Sequence, residues 1–422
     1  MKVPINKNFS RVLVAMMISV MGSQAYYVGE SLLLKHVTGS GWIVGLTLAL
    51  ASLPTFFFGV FGGAVADHYD RKKIMVVADI VGSAASISLA LIVLMNLTGA
   101  LVPWVMCTTV VLGSSQAFFR PASRALLPRL VESASLGKAN SIYWTARDIA
   151  SIVGQSVAGV VYAAFNAGSL FLSDGLSYLI SALLVRSIRT SADTAAVEQR
   201  TAPIKFRARI AEGFRYIRRV EGLGAMIATL CVMDLFLAPL MTMLPFYVED
   251  TLKLGPSWYG ILYAALSVGA VLGGSLSGLI QVPERARRIT IPLMLVVTGL
   301  SRCALGMTHS PYIAFVAIAL ETGSSIFFSI AAETVIQQRV QDGYLGRVMG
   351  LLSSLMGALT PAGMLLGGVA VSYFHGALPE VIVASGAALV LVAIAPLASA
   401  QYRRFFDGGA SPALTEAFGG KE

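Results

Sequence analysis

Residues 60–78 read Val60-Phe61-Gly62-Gly63-Ala64-Val65-Ala66-Asp67-His68-Tyr69-Asp70-Arg71-Lys72-Lys73-Ile74-Met75-Val76-Val77-Ala78. A short charged hinge ending in three consecutive cations separates two apolar runs, 41–66 and 74–98. Each run reaches the roughly 20 residues that a bilayer crossing needs. Working outward, the same alternation of long apolar run and short polar hinge recurs along all 422 residues. It predicts helices at 11–36, 41–66, 74–98, 101–122, 138–166, 168–188, 223–251, 256–281, 287–308, 311–333, 344–373 and 378–402.

Composition agrees with a chain that is nearly all membrane. Hydrophobic residues make up 56%, charged residues only 13%, and the mean hydropathy is +0.75. A soluble domain carries roughly a quarter of its residues as charges. The runs are continuously apolar and rich in Gly, Ala and Leu, which excludes the two-residue alternation of a membrane barrel. The first run continues from Val12 past Leu34, too long for the core of a cleaved signal peptide. The expected fold is an all-α integral membrane protein with twelve transmembrane helices.

The three cysteines, Cys107, Cys231 and Cys303, are scattered through apolar runs and read as packing residues, so no disulfide, metal or cofactor site is expected. The net charge of +9 lies in blocks between the runs, which makes it a topology signal rather than a nucleic-acid surface. With both termini on one side, all but three of the 31 Lys and Arg fall on that side; the exceptions are Lys35, Lys253 and Arg302. By the positive-inside rule that side is the cytoplasm.

One long connector divides the chain. The expected units are a six-helix bundle at 1–188, a linker at 189–222, a second six-helix bundle at 223–402 and a tail at 403–422. Within the linker, Ile204, Phe206, Ile210, Phe214 and Ile217 recur at helical spacing among Arg207, Arg209, Arg215, Arg218 and Arg219, which predicts an amphipathic helix along the membrane face. The halves repeat each other: Trp42, Gly62, Arg71 and Lys72 match Trp258, Gly278, Arg287 and Arg288 at one constant offset. Leu136-Gly137-Lys138 and Leu345-Gly346-Arg347 match at a second offset, both at the start of the fifth span of a half. Two parallel six-helix repeats point to a transporter whose substrate binds between rocking halves.

The segment Gly63 to Lys73 resembles the loop 2–3 signature of the major facilitator superfamily, with Gly63, Asp67 and Arg71 at the matching positions. His68 and Asp70 replace a frequent Arg and Gly. The resemblance implies a gating latch in which Asp67 pairs locally or meets the start of the eleventh span near Tyr344. Phe119-Arg120-Pro121-Ala122-Ser123-Arg124-Ala125-Leu126-Leu127-Pro128-Arg129-Leu130-Val131, then Asp174-Gly175-Leu176-Ser177-Tyr178 and Gly346-Arg347-Val348-Met349, resemble the branch that holds macrolide-efflux and enterobactin-exporter-like proteins. Gly154-Gln155-Ser156-Val157-Ala158-Gly159 resembles an antiporter motif, with Gln155 where the motif has Pro. Gly154 and Gly159 serve helix packing on either reading.

A charge at mid-membrane costs at least about 2.5 kcal/mol, so each asks for a partner, a proton or a wet cavity. Glu30, Asp148, Asp174, Asp234, Glu321 and Arg302 all lie within expected spans. Desolvation favours the neutral form of a carboxyl in general, which is the chemistry that proton coupling uses. Asp148, Asp234 and Glu321, with Asp67, resemble the acidic set of proton-driven multidrug transporters of this superfamily. The proton-coupling candidates are Asp234 and Glu321 first, then Asp148 and Glu30; each also reads as a structural ion pair or hydrogen bond. Arg302 reads as a structural partner, and Glu249 and Asp250 as solvated. Family resemblance places the cavity among spans 1, 4, 7 and 10, which offers Gln24, Tyr26, Tyr27, Met233, Phe236 and Met241 as substrate contacts.

The expected function is a proton-coupled exporter of small organic molecules, an amphiphilic drug or a siderophore, in the inner membrane, with small-molecule substrate, protons and membrane lipid as partners and a monomeric state. Uptake of a siderophore or nutrient, flipping of a lysophospholipid, and a non-transporting receptor are the alternatives. An enzyme is not expected: the chain has no Gly-x-Ser-x-Gly elbow, no His-Glu-x-x-His and no phosphate-binding loop.

Overall fold

The computed structural model describes residues 6–131, 135–188, 206–280 and 282–398; the linker stretch 189–205 and the tail 403–422 lie outside the described residues. The described chain is helical throughout: α1 (Lys7–Thr38), α2 (Gly41–His68), α3 (Arg71–Leu94), α4 (Leu101–Leu126), α5 (Leu136–Phe165), α6 (Ala167–Arg186), α7 (Phe206–Arg219), α8 (Leu223–Leu237), α9 (Pro239–Phe246), α10 (Pro256–Leu279), α11 (Glu284–Met307), α12 (Pro311–Arg339), α13 (Asp342–Tyr373) and α14 (Leu378–Ala398). Among the described residues, ten helical stretches are long and apolar enough to cross a membrane, counting Leu223–Thr251 as one. The expected second and twelfth spans contribute shorter apolar stretches, Gly41–Pro54 and Leu378–Ile394. The chain is thus an all-helical membrane protein of the expected class.

Local chemistry sets the ends of these helices. The Asn6 side chain accepts a hydrogen bond from the backbone N–H of Asn8 to start α1. Gly39, at φ 62°, closes it and returns its N–H to the carbonyl of Lys35. Asp70 caps α3 by accepting from the N–H of Lys72 at 2.9 Å, which gives a structural reason for a carboxylate at this point of the hinge. The seventh span departs from expectation. Pro239 has no N–H to donate, so the run predicted as one helix over 223–251 breaks at Ala238 into α8 and α9, followed by a wide turn at Tyr247–Thr251.

Within the first half α1 packs on α5 and α6, α3 on α4 and α6, and α2 on α4; within the second, α12 packs on α10 and α11, and α11 on α14. The main crossings between halves are α2 with α13 and α5 with α10, with smaller contacts of α1 and α2 on α9 and of α1 on α10. The apolar core is divided accordingly. At the end of the bundle farthest from the chain's N-terminus, one continuous cluster joins both halves and includes Leu32, Val105 and Phe171 with Leu244, Leu262 and Ile318. At the opposite end, which carries most of the cations, the halves keep separate cores: one around Phe9, Met75 and Leu126, the other around Met226, Leu295 and Phe328. The halves are therefore joined at the far end and split at the basic end.

Helix α7 lies at that basic end against α13. Tyr216 is buried and stacks on Tyr344 with ring centroids 4.4 Å apart, its hydroxyl accepts from the N–H of Gln341, and Glu212 pairs with Arg347 at 3.3 Å. Ile217 joins the second half's core while Phe214 is exposed. The amphipathic segment thus docks on the protein with part of its apolar face.

Candidate substrate cavity and buried charges

A cavity of about 160 Å³ opens among α1, α4 and α5, between the first half's own core and the shared core. Gln24 and Tyr27 from α1 line it, opposite Gln116 and Arg120 from α4 and Trp144 and Arg147 from α5. A smaller recess shares Ser19 and Gln116 with it and is bordered by Asp79 and Tyr178. Of the other expected substrate contacts, Tyr26 is buried against Phe171, and Met233 is buried in the second half's core. Phe236 and Met241 are half-buried around the break in the seventh span.

Above the cavity, Gln155 ties the halves together. Its amide donates to Gln24 Oε1 at 2.8 Å, and its own Oε1 accepts from the Ser267 hydroxyl at 2.9 Å, so α1, α5 and α10 share one polar chain. Bare backbones make this approach possible. A Cβ at Gly154 would meet the carbonyl of Met21 at 2.7 Å, and one at Gly159 would meet that of Pro256 at 2.6 Å. Gly154 packs within the first half, whereas Gly159 lies on the crossing between halves.

The far end is also latched by charge. Lys35 Nζ lies 2.5 Å from Glu249 and 3.0 Å from Asp250, while His36 bridges Glu249 and the hydroxyl of Tyr162. The expectation that Glu249 and Asp250 are merely solvated is corrected here. Their partners lie more than 200 residues away in sequence, where no local pattern reveals them.

The carboxyls within the spans, of which Glu30, Asp79, Asp174 and Glu321 are buried and Asp148 and Asp234 only partly so, fall into two kinds. Glu30 is fully buried and held by hydroxyls, accepting from Thr109 and, at 3.5 Å, from Tyr26. Asp174 accepts from Ser86 at 2.8 Å and Asp79 from Ser181 at 2.7 Å, both joining α3 to α6. Asp234 accepts from Thr360 of α13 at 2.6 Å. Two others have cations: Glu321 pairs with Arg302, and Asp148 lies 3.8 Å from Arg147 in a half-exposed pair. Arg302 also donates to the carbonyls of Phe236 and Leu237. Those carbonyls end α8 at the Pro239 break, so the guanidinium caps a helix terminus whose dipole favours a cation.

Among the gating candidates, Arg71 donates to the carbonyl of Ala125 at 2.9 Å, tying the hinge to the end of α4. Gly63 and Asp67 fall in the last turns of α2, and their side-chain surroundings lie outside the described residues. Asp79, Thr109, Trp144 and Arg147 were not singled out by sequence. Asp79 was findable, as a lone carboxylate within the apolar run 74–98. No group of His, Cys, Asp and Glu among the described residues is arranged to hold a metal ion.

Two packed helical halves, the first of which carries a partly polar cavity, have the architecture of a membrane transporter of the major facilitator type. The family of transmembrane secretion effectors matches residues 3–404, and the chain belongs to that family. Macrolide efflux protein A of Streptococcus pyogenes is 27% identical over 79% of this chain and 82% of its own length. The multidrug efflux pump Tap of Mycobacterium bovis is 24% identical over 85% of each chain. The crystal structure of nucleoside transporter NupG superposes with a TM-score of 0.73 at 12% identity, covering 95% of this chain and 100% of that one, a likeness of fold. The chain is a transporter and not an enzyme.

Proposed function

We propose that this protein is a proton-coupled exporter of small amphiphilic molecules, a drug or a siderophore, working by alternating access in the inner membrane. The observation that carries the reading is the divided core, fused at the far end and split at the basic end, with a cavity lined by α1, α4 and α5 of the first half. With the basic end and both termini in the cytoplasm, the conformation is open inward and poised to load cargo from the cell. The halves 1–188 and 223–402 rock about the cavity, with Gly63, Asp67 and Arg71 at the inner gate. The relatives named for efflux support the outward direction. A monomer suffices, because the cavity is built within one chain.

For the proton, Glu30 and Asp234 are the first choice. A hydroxyl donates to an ionised carboxylate and accepts from a protonated one, so Thr109 and Thr360 serve both states. Glu321 and Asp148 stand beside guanidiniums and come second. In proteoliposomes with an imposed pH gradient, Glu30→Gln and Asp234→Asn each abolish gradient-driven flux while substrate binding persists. Unchanged driven flux in both variants removes these residues from the coupling. Flux indifferent to the gradient in the unaltered protein favours a facilitator or lipid flippase instead.

A further inference from the structure

Resting on the export reading, we propose that the cavity among α1, α4 and α5 is an anchoring subsite for the one anionic group of an amphiphilic cargo, a carboxylate or phosphate borne on an aromatic or apolar body. The lining holds two guanidiniums, Arg120 and Arg147, and no carboxylate. Arg120 has no ion-pair partner among the described residues; its Nε reaches only Gln116 Oε1, at 3.4 Å. Arg147 lies over the ring of Trp144 at 5.3 Å and 3.8 Å from Asp148 in a half-exposed pair. A cation at membrane depth is retained where it faces a wet cavity on a substrate path. The planar guanidinium fork matches the two oxygens of a carboxylate or phosphate.

The remaining surfaces fit the rest of such a molecule. Ser23, Ser123 and Gln116 give the wall polar groups that are already hydrogen-bonded to Tyr178 and Tyr143, and Trp144 and Tyr27 add aromatic rings. The volume of about 160 Å³ takes a single ring or headgroup, so the apolar body extends into the cleft between the halves. The nearest buried carboxyls do not offset the two cations: Glu30 and Asp174 face hydroxyls within the helix packing, and Asp79 borders only the neighbouring recess. A cationic amphiphile of the same shape meets repulsion here.

The test is isothermal titration of the full chain in detergent with 2-naphthoate and with 2-naphthylmethylammonium, two probes of one shape and opposite charge. The naphthoate binds at least about tenfold more tightly, and Arg120→Gln and Arg147→Gln each weaken it by about tenfold without weakening the ammonium. Arg120→Lys, which keeps the charge but not the fork, recovers part of the loss. Equal or tighter binding of the ammonium, or naphthoate affinity unchanged in both glutamine variants, overturns the subsite. A variant that loses both probes and unfolds early is set aside, and the Arg120→Lys comparison decides. In nanodiscs of phosphatidylcholine, competition by added phosphatidylglycerol identifies a lipid headgroup as the anion, and its absence a soluble one. Charge-selective binding without flux in proteoliposomes sinks the export reading and leaves the subsite standing; driven flux of cations without naphthoate binding does the reverse.

Discussion

Arg302 and Glu321 are both buried, and the guanidinium divides its donors between a carboxylate and the two carbonyls that end α8. Breaking a buried pair from one side strands the other charge, at a cost of about 3 kcal/mol or more. Glu321→Gln therefore lowers the thermal unfolding midpoint of the purified protein sharply. Removing both charges with Arg302→Met and Glu321→Leu costs less than the single change, though the Phe236 and Leu237 carbonyls then lose a donor. A single variant as stable as the parent would show that the pair does not support the seventh span. The sequence marks both residues as intramembrane charges and suggests a structural role for the arginine. That they meet over the stub of a different helix is a long-range fact, signalled locally only by Ala238-Pro239.

At the scale of elements, the crossing of α5 with α10 decides how firmly the far end is closed. Here Gly159 and Gly260 let two backbones touch, and a methyl group at Gly159 would lie 2.6 Å from one carbonyl and 2.9 Å from the next. Those neighbours are backbone and cannot swing away. Gly159→Ala thus opposes the seal by about 1–3 kcal/mol, in the range of overpacked cores, and shifts the population toward the state open at the far end. A cysteine placed at Ser267 then reacts faster with a membrane-impermeant thiol reagent added from that side; an unchanged rate would mean the crossing tolerates separation. The helices themselves were legible because each span is one continuous apolar run, and most predicted ends fall within a few residues of those observed. The cavity was legible in part. Gln24 and Tyr27 stood out as polar and aromatic residues in the first span, whereas Arg120 and Arg147 merge in the sequence with the basic blocks that report topology. Only the arrangement of α1, α4 and α5 around the cavity separates a residue that lines it from one on the outer surface of the basic end.

For the whole molecule, closure at the far end rests on the shared apolar core, the glycine-mediated helix crossings, the glutamine chain through Gln155 and the ionic latch of Lys35 with Glu249 and Asp250. Opening at the far end would require the protein to dissolve all of these while forming equivalents between the two separate cores at the basic end. The buried arginine carries a consequence for how such a chain enters the membrane. Arg302 and Glu321 lie in consecutive spans, α11 and α12, so the arginine finds its counter-charge only after the next span has been synthesised. A lone arginine at the centre of a span disfavours insertion by about 2.5–3.5 kcal/mol, and Arg302, nearer the end of α11, carries part of that cost. The two spans accordingly partition from the translocon as a hairpin. A nascent chain truncated after α11 integrates that segment poorly in a glycosylation-mapping assay, extension through α12 restores it, and Glu321→Leu in the longer chain removes the restoration.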